Sequence, residues 1–175
     1  MATQPNKMGD TNASTFSDYQ HDSWRGQQAN VFLEVAIACY TTGDFFGVGV
    51  MGTDRNGKAL KAWEERNEGF TDPSLIEAVA IRNALLKVRS VGWSKLAVGS
   101  SNKRIIHKLQ KENTEDVKLA TVLEDIIHLS CSFSYFSFVW LPKDFNIKAR
   151  KLACFASALI GNIDWENVFP NWLDN

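Results

Sequence analysis

Three strand-like runs joined by short turns occupy residues 31–65, and they constrain the fold of this chain more than any other feature. Val31 to Tyr40 is almost wholly apolar, and Phe45 to Met51 is a second such run that contains Gly47 and Gly49. Thr53-Asp54-Arg55-Asn56-Gly57 follows, and Asn-Gly between strand-like segments is a strong hairpin signal. Lys58 to Glu65 then reads as a third strand. Connections this short join antiparallel neighbours, so the three strands form a meander.

Downstream the periodicity changes to alternating helix and strand. Asp72 suits an N-cap and Pro73 the first helical turn. The helix from Pro73 to Val91 carries Leu75, Val79, Leu85 and Leu86 at helical spacing, and Gly92 stops it. A short strand spans Lys95 to Gly99. Two helices follow, Asn102 to Gln110 and Asp116 to Ser130. Phe133 to Trp140 is an aromatic strand ended by Pro142, and a last helix runs from Ile147 to Ile160 before Gly161. The order βββ-α-β-α-α-β-α specifies an α/β domain. Its mixed sheet has five strands, three antiparallel ones first, flanked by about four helices.

That domain spans residues 30–161. Residues 1–29 are rich in Gln, Asn, Ser, Thr and Asp, and are expected to form a flexible polar tail, with Phe16, Tyr19 and Trp24 able to dock. Residues 162–175 form an acidic and aromatic tail whose Trp165, Phe169 and Trp172 are expected to pack on the domain or serve a partner. Lys plus Arg is 19 and Asp plus Glu is 20, a net charge of −1, which speaks against a chain built to coat nucleic acid but leaves room for a local basic patch. No run of about 18 apolar residues suggests a membrane span. Cys39, Cys131 and Cys154 have neither disulfide-framework nor metal-pair spacing, and are expected to pack as small apolar residues. His21, His107 and His128 are scattered, without zinc-ligand spacing. No apolar signal core opens the chain, and Asp10, Asp18 and Asp22 are unlike a transit peptide. These features lead to an expected intracellular location, nuclear or cytoplasmic.

Several strings carry a family resemblance. They are Gly47-Val48-Gly49-Val50 and Asp54-Arg55-Asn56-Gly57-Lys58 in the hairpin, Ile76-Glu77-Ala78-Val79-Ala80-Ile81-Arg82-Asn83-Ala84-Leu85 in the first helix, Val91-Gly92-Trp93 after it, and Trp140-Leu141-Pro142-Lys143-Asp144-Phe145-Asn146 before the last helix. Over about residues 31–160 the chain resembles the plant RNase H-like, reverse-transcriptase-like domains derived from retroelements. The resemblance implies a ribonuclease H-like fold. It also implies an ancestral chemistry in which two Mg²⁺ ions, held by four carboxylates, hydrolyse a phosphodiester.

Carried over position by position, the strand-one Asp falls on Ala36, the helix Glu on Glu77, the strand-four Asp on Ser101 and the final Asp on Arg150. The carboxylate just before Ser101 falls on Gly99. One ligand of four survives, and Arg150 would repel a metal. The expectation is therefore a pseudo-ribonuclease H with no metal and no cofactor. Arg150 is expected to pair with Glu77 in place of the ions, because a buried carboxylate needs a partner. Glu34 on the same strand face and Asp44 in the first hairpin are substitute acids for an active-nuclease alternative, which alone would need Mg²⁺.

Two basic clusters are candidate nucleic-acid contacts: Lys103, Arg104, His107, Lys108 and Lys111 around the short helix, and Lys143, Lys148, Arg150 and Lys151 at the last one. The first expectation for function is a catalytically inactive, protein-binding or regulatory module. The alternative is a domain that binds a hybrid or duplex without cleaving it.

Overall fold

The structure is a computed structural model that describes residues 28–39, 44–69, 72–111, 116–158 and 161–174. The expectation for a polar tail over residues 1–29 lies outside the described residues up to residue 27. Ala29 is buried, and its carbonyl accepts a 2.8 Å hydrogen bond from Arg55 Nε.

The strands are β1 (Val31–Cys39), β2 (Phe45–Asp54), β3 (Ala59–Glu68), β4 (Lys95–Ser100), β5 (Tyr135–Trp140) and β6 (Ile163–Glu166). The helices are α1 (Pro73–Val91), α2 (Lys103–Lys111), α3 (Val117–Ser130) and α4 (Ile147–Ala158), with 3₁₀ turns at Lys143–Phe145 and Asn171–Leu173. The sheet order is β5-β4-β1-β2-β3-β6. β1, β2 and β3 pair antiparallel, whereas β4 joins β1 and β5 joins β4 in parallel. The hairpin turn follows its sequence signal. Asp54 Oδ1 accepts from the amides of Asn56 and Lys58, each at 2.9 Å, and Gly57 takes the left-handed φ of 78° that the turn requires.

The expected five-stranded sheet has six strands. β6 pairs antiparallel with β3, placing Lys61 opposite Glu166 and Glu64 opposite Ile163. The apolar–polar alternation of Ile163-Asp164-Trp165-Glu166 is too short to announce a strand by itself, and what forms it is the open hydrogen-bonding edge of β3. The following residues fold back over the same end of the sheet, where Trp165, Phe169 and Trp172 pack against Met51, Ala62, Leu152 and Leu173. The cysteines also differ from expectation: all three are free and exposed rather than packed as core residues.

Alternation divides the sheet into two faces. Leu33, Val35, Val48, Val50 and Trp63 share the main core with Ile81, Leu85 and Val88 of α1, Ile105 of α2, and Leu119, Leu123 and Ile126 of α3. The opposite face carries α4, with the C-terminal segment packed beside it. A Cβ on Gly47 would lie 1.9 Å from the Ala153 carbonyl oxygen, and one on Gly49 would lie 2.0 Å from that of Ala149. The two glycines thus let the α4 backbone rest directly on β2, and this close approach sets the position of the site.

One feature of that interface is unfavourable. Glu64 lies opposite Gly49 on the α4 face, has no exposed surface, and neither carboxylate oxygen has a hydrogen-bond partner. Burial alone pushes its carboxyl up to about 7. Among the described residues no helix is long and apolar enough to cross a membrane.

Candidate functional site

The parallel strands β1 and β4 end side by side, and the N-terminal halves of α1 and α4 flank their ends. Between them lies a cavity of about 330 Å³ lined by Ala36, Ile37, Glu77, Ser101, Asn102, Lys143, Asn146 and Arg150. A crevice beyond the carboxyl ends of parallel strands is the usual ligand position in an open α/β sheet. The four positions singled out in the sequence, Ala36, Glu77, Ser101 and Arg150, all meet in it, together with Lys143.

Glu77 sits in the second turn of α1, a helix started by Asp72, whose side chain accepts from the amides of Ser74 and Leu75. The residue is 7% exposed, and the Ser100 hydroxyl donates to its carboxylate. Burial holds the Glu77 carboxyl above its ordinary range, and hydrogen bonds from Ser100 and Asn102 oppose this only in part. Ser100 Oγ in turn accepts from the Asn102 amide at 3.0 Å. Asn102 caps α2, with Oδ1 accepting from the Ile105 amide at 3.2 Å. Cys39, at the end of β1, has its thiol held up by partial burial and by the charge of Glu77.

On the other wall, Asn146 is fully buried and ties the start of α4 to the sheet. Its Nδ2 donates to the Val35 carbonyl at 2.9 Å, one residue before Ala36, and its own carbonyl accepts from the Arg150 amide at 3.4 Å. Ala36 packs beneath Ala149 and Ala153. Arg150 is therefore held at the cavity mouth. The expected Glu77–Arg150 pair does not form: among the described residues no ion pair joins them, and Arg150 Nη1 donates to the Lys143 carbonyl at 3.3 Å. A buried carboxyl biased towards its neutral form has little need of a counter-ion.

The substitute acids do not enter the cavity lining. Glu34 is 2% exposed and lies within the sheet, opposite Met51 and Gly99, and Asp44 is exposed at the start of the second strand's approach. No side chain fits at position 99 either, because a Cβ on Gly99 would fall 2.6 Å from Leu141 Cδ1 and 2.8 Å from Phe32 Cζ.

The basic candidates separate. Lys148 Nζ pairs with Asp174 at 2.9 Å, which holds the Asp174 carboxyl below its usual range, and Lys151 Nζ donates to the Trp172 carbonyl at 3.5 Å. The C-terminal segment engages these two, leaving Lys143 and Arg150 in the cleft. Lys103 Nζ lies 5.3 Å from the centroid of the Trp140 ring, while Arg104 is exposed and Lys108 half-buried on α2. Asn102 and Asn146 are the site residues that motif reasoning passed over. An Asn just before a helix is an N-cap signal, but the bond from Asn146 to Val35 spans 111 residues and has no local trace.

A pair of Mg²⁺ ions does not fit these residues. Mg²⁺ demands several oxygen ligands, and the cavity offers one carboxyl, already held by Ser100, opposite a guanidinium. Among the described residues no group of three or more His, Cys, Asp or Glu could hold a metal ion.

Three antiparallel strands followed by parallel crossovers, with a cleft at the strand ends between the first and last helices, define an RNase H-like α/β domain. RNase H1 from the halophilic archaeon Halobacterium salinarum superposes with a TM-score of 0.66 at 19% identity, over 72% of this chain and 96% of that one. The N-terminal RNase H domain of a Mycobacterium tuberculosis protein gives 0.65 at 17% identity, over 73% and 93%. LC11-RNase H1, solved in complex with an RNA/DNA hybrid, gives 0.66 at 19% identity, over 73% and 96%. No curated protein matches the chain. Within this fold the chain belongs to the reverse transcriptase-like family, whose pattern matches residues 41–156.

Proposed function

We propose that this chain is a non-cleaving RNase H-like domain that holds nucleic acid in its cleft. The observation that carries the reading is the charge of the site. Of the four positions where the family resemblance implies metal ligands, Glu77 alone is acidic and is biased towards its neutral form, while Arg150 is a fixed cation and Lys143 adds a second. Such a cleft attracts a phosphate rather than a divalent cation. The complex of LC11-RNase H1 with an RNA/DNA hybrid supports nucleic acid as the class of ligand for this fold. No cofactor enters the reading.

A protein partner, the first expectation from the near-neutral charge, has weaker support. Among the described residues the exposed large apolar side chains, Leu86, Val91, Val117, Trp140, Ile147, Ile163 and Val168, come from five elements and the C-terminal segment. A protein-docking face needs a contiguous patch.

The test is to incubate the purified chain with labelled RNA/DNA hybrid, duplex and single strand, with Mg²⁺ or Mn²⁺ present. Retention without cleavage, weakened by Arg150→Ala, is the expected result. Metal-dependent cleavage of the hybrid that Glu77→Gln abolishes would replace the reading with the active-nuclease alternative.

A further inference from the structure

We propose that the cleft and Trp140 form a two-point site for single-stranded nucleic acid, with a backbone phosphate on Arg150 and Lys143 and the adjoining base stacked on Trp140. The proposal rests on the cleft being a nucleic-acid site, and adds to that reading the strandedness of the ligand and the role of each contact.

Trp140 is the last residue of β5. The earlier aromatic residues on its side of the strand, Phe136 and Phe138, pack against the main core, but Trp140 remains 37% exposed. The ring is not loose. Its Nε1 donates to the Ser101 carbonyl at 3.3 Å, and Ser101 lines the cleft, so the indole is fastened to the cleft wall. Lys103 Nζ lies 5.3 Å from the ring centroid and brings a cation to the plate. An aromatic plate fixed in advance loses little freedom when a base lands on it.

The placement of the two contacts points the same way. Arg150 and Lys143 line the cleft of about 330 Å³, whereas Trp140 is outside its lining and joined to it through Ser101, so a base stacked on the indole lies outside the cavity that holds the phosphate. In a duplex each base is already stacked and would have to be extruded to lie on an indole. A basic groove beside an exposed aromatic ring is instead the arrangement that tracks single strands, where every base offers a π face. The low net charge of the chain matters little here, because two cations line the cleft and a third stands at the Trp140 ring.

The test uses the full chain and a fluorescein-labelled, mixed-sequence DNA oligonucleotide. Anisotropy titrations compare it with its duplex and with the matching RNA/DNA hybrid. The single strand is expected to bind tightest. Trp140→Leu should weaken single-strand binding by roughly 5- to 150-fold, and Trp140→Phe should restore part of it. Arg150→Ala should reduce the slope of log K against log salt by about 0.7, the contribution of one single-strand phosphate contact. Photocrosslinking of the unaltered chain to a bromouridine-substituted oligonucleotide should label Trp140, a readout independent of whether the variants fold. Equal or tighter duplex binding that ignores Trp140→Leu, or crosslinks that map elsewhere, would overturn the two-point site while leaving nucleic-acid binding in place. Absence of binding to all three ligands would overturn both.

Discussion

Replacing Glu64 by Gln tests the physics of the α4 interface, on which the position of Arg150 depends. Glu64 is fully buried under α4, and neither of its oxygens has a partner. Its carboxyl titrates at about 7 rather than the ordinary 4.5, at about 1.4 kcal/mol per pH unit, so ionising it in place opposes folding by about 3 kcal/mol. Below pH 4.5 both folded and unfolded chains hold the proton, and the group does not penalise the fold. Between 4.5 and about 7 the folded chain keeps a proton that the unfolded chain has released, so stability falls as pH rises. Above about 7 the buried charge exerts its whole destabilising effect. Gln keeps the shape and removes the charge. Glu64→Gln should therefore be close to neutral at pH 4.5 and more stable than the parent by about 3 kcal/mol at pH 8, roughly 6–12 °C in Tm for a chain of this length. Urea unfolding of both proteins at the two pH values gives the answer. Taking the difference between the proteins cancels the contributions of Glu77 and Asp174, whose carboxyls are also displaced. A gap that stays the same at both pH values would refute the argument, since only a titrating, unpartnered Glu64 makes it depend on pH.

Three further outcomes follow from the geometry. The triple variant Ala36→Asp, Ser101→Asp, Arg150→Asp should bind Mg²⁺ by calorimetry, gain stability when Mg²⁺ is added, and cleave an RNA/DNA hybrid, because all three positions already meet Glu77 in one cavity; a folded variant that ignores Mg²⁺ would show that the positions do not converge as ligands. Asn146→Ala should destabilise the domain by about 1–3 kcal/mol in urea, because it leaves the Val35 carbonyl without its donor, and should also weaken nucleic-acid binding by freeing the start of α4. Gly49→Ala should lower the urea midpoint by at least as much, since its Cβ would lie 2.0 Å from the Ala149 carbonyl oxygen and only a shift of the whole helix relieves the clash.

Much of the fold was legible because its signals are local. The Asn56-Gly57 turn, the Asp72 cap and the apolar spacing of α1 each lie within a few residues of the element they specify. The helix read from Pro73 to Val91 has those bounds in the structure. β6 was not legible, because a run of only four residues, Ile163-Asp164-Trp165-Glu166, forms a strand only where β3 presents an unpaired edge. Nothing near Glu64 in the sequence shows that α4 will cover it. The Glu77–Arg150 pair rested on the positions that the family resemblance implies and on a buried carboxylate's need of a partner, and it failed because desolvation disfavours the carboxylate at Glu77 while the Lys143 carbonyl engages Arg150.

By itself the sequence determined the order of elements as far as α4, the family resemblance and the identity of the side chains at the four ancestral positions, because each depends on residue type and short-range spacing. Only the tertiary structure decided that those four positions share one cavity, that the C-terminal segment engages Lys148 and Lys151, and that Trp140, with Lys103 beside its ring, bonds to the cleft residue Ser101. Those outcomes depend on where distant segments meet. Here the meeting is set by two glycines that admit the α4 backbone onto β2 and by one asparagine that bonds across 111 residues of chain.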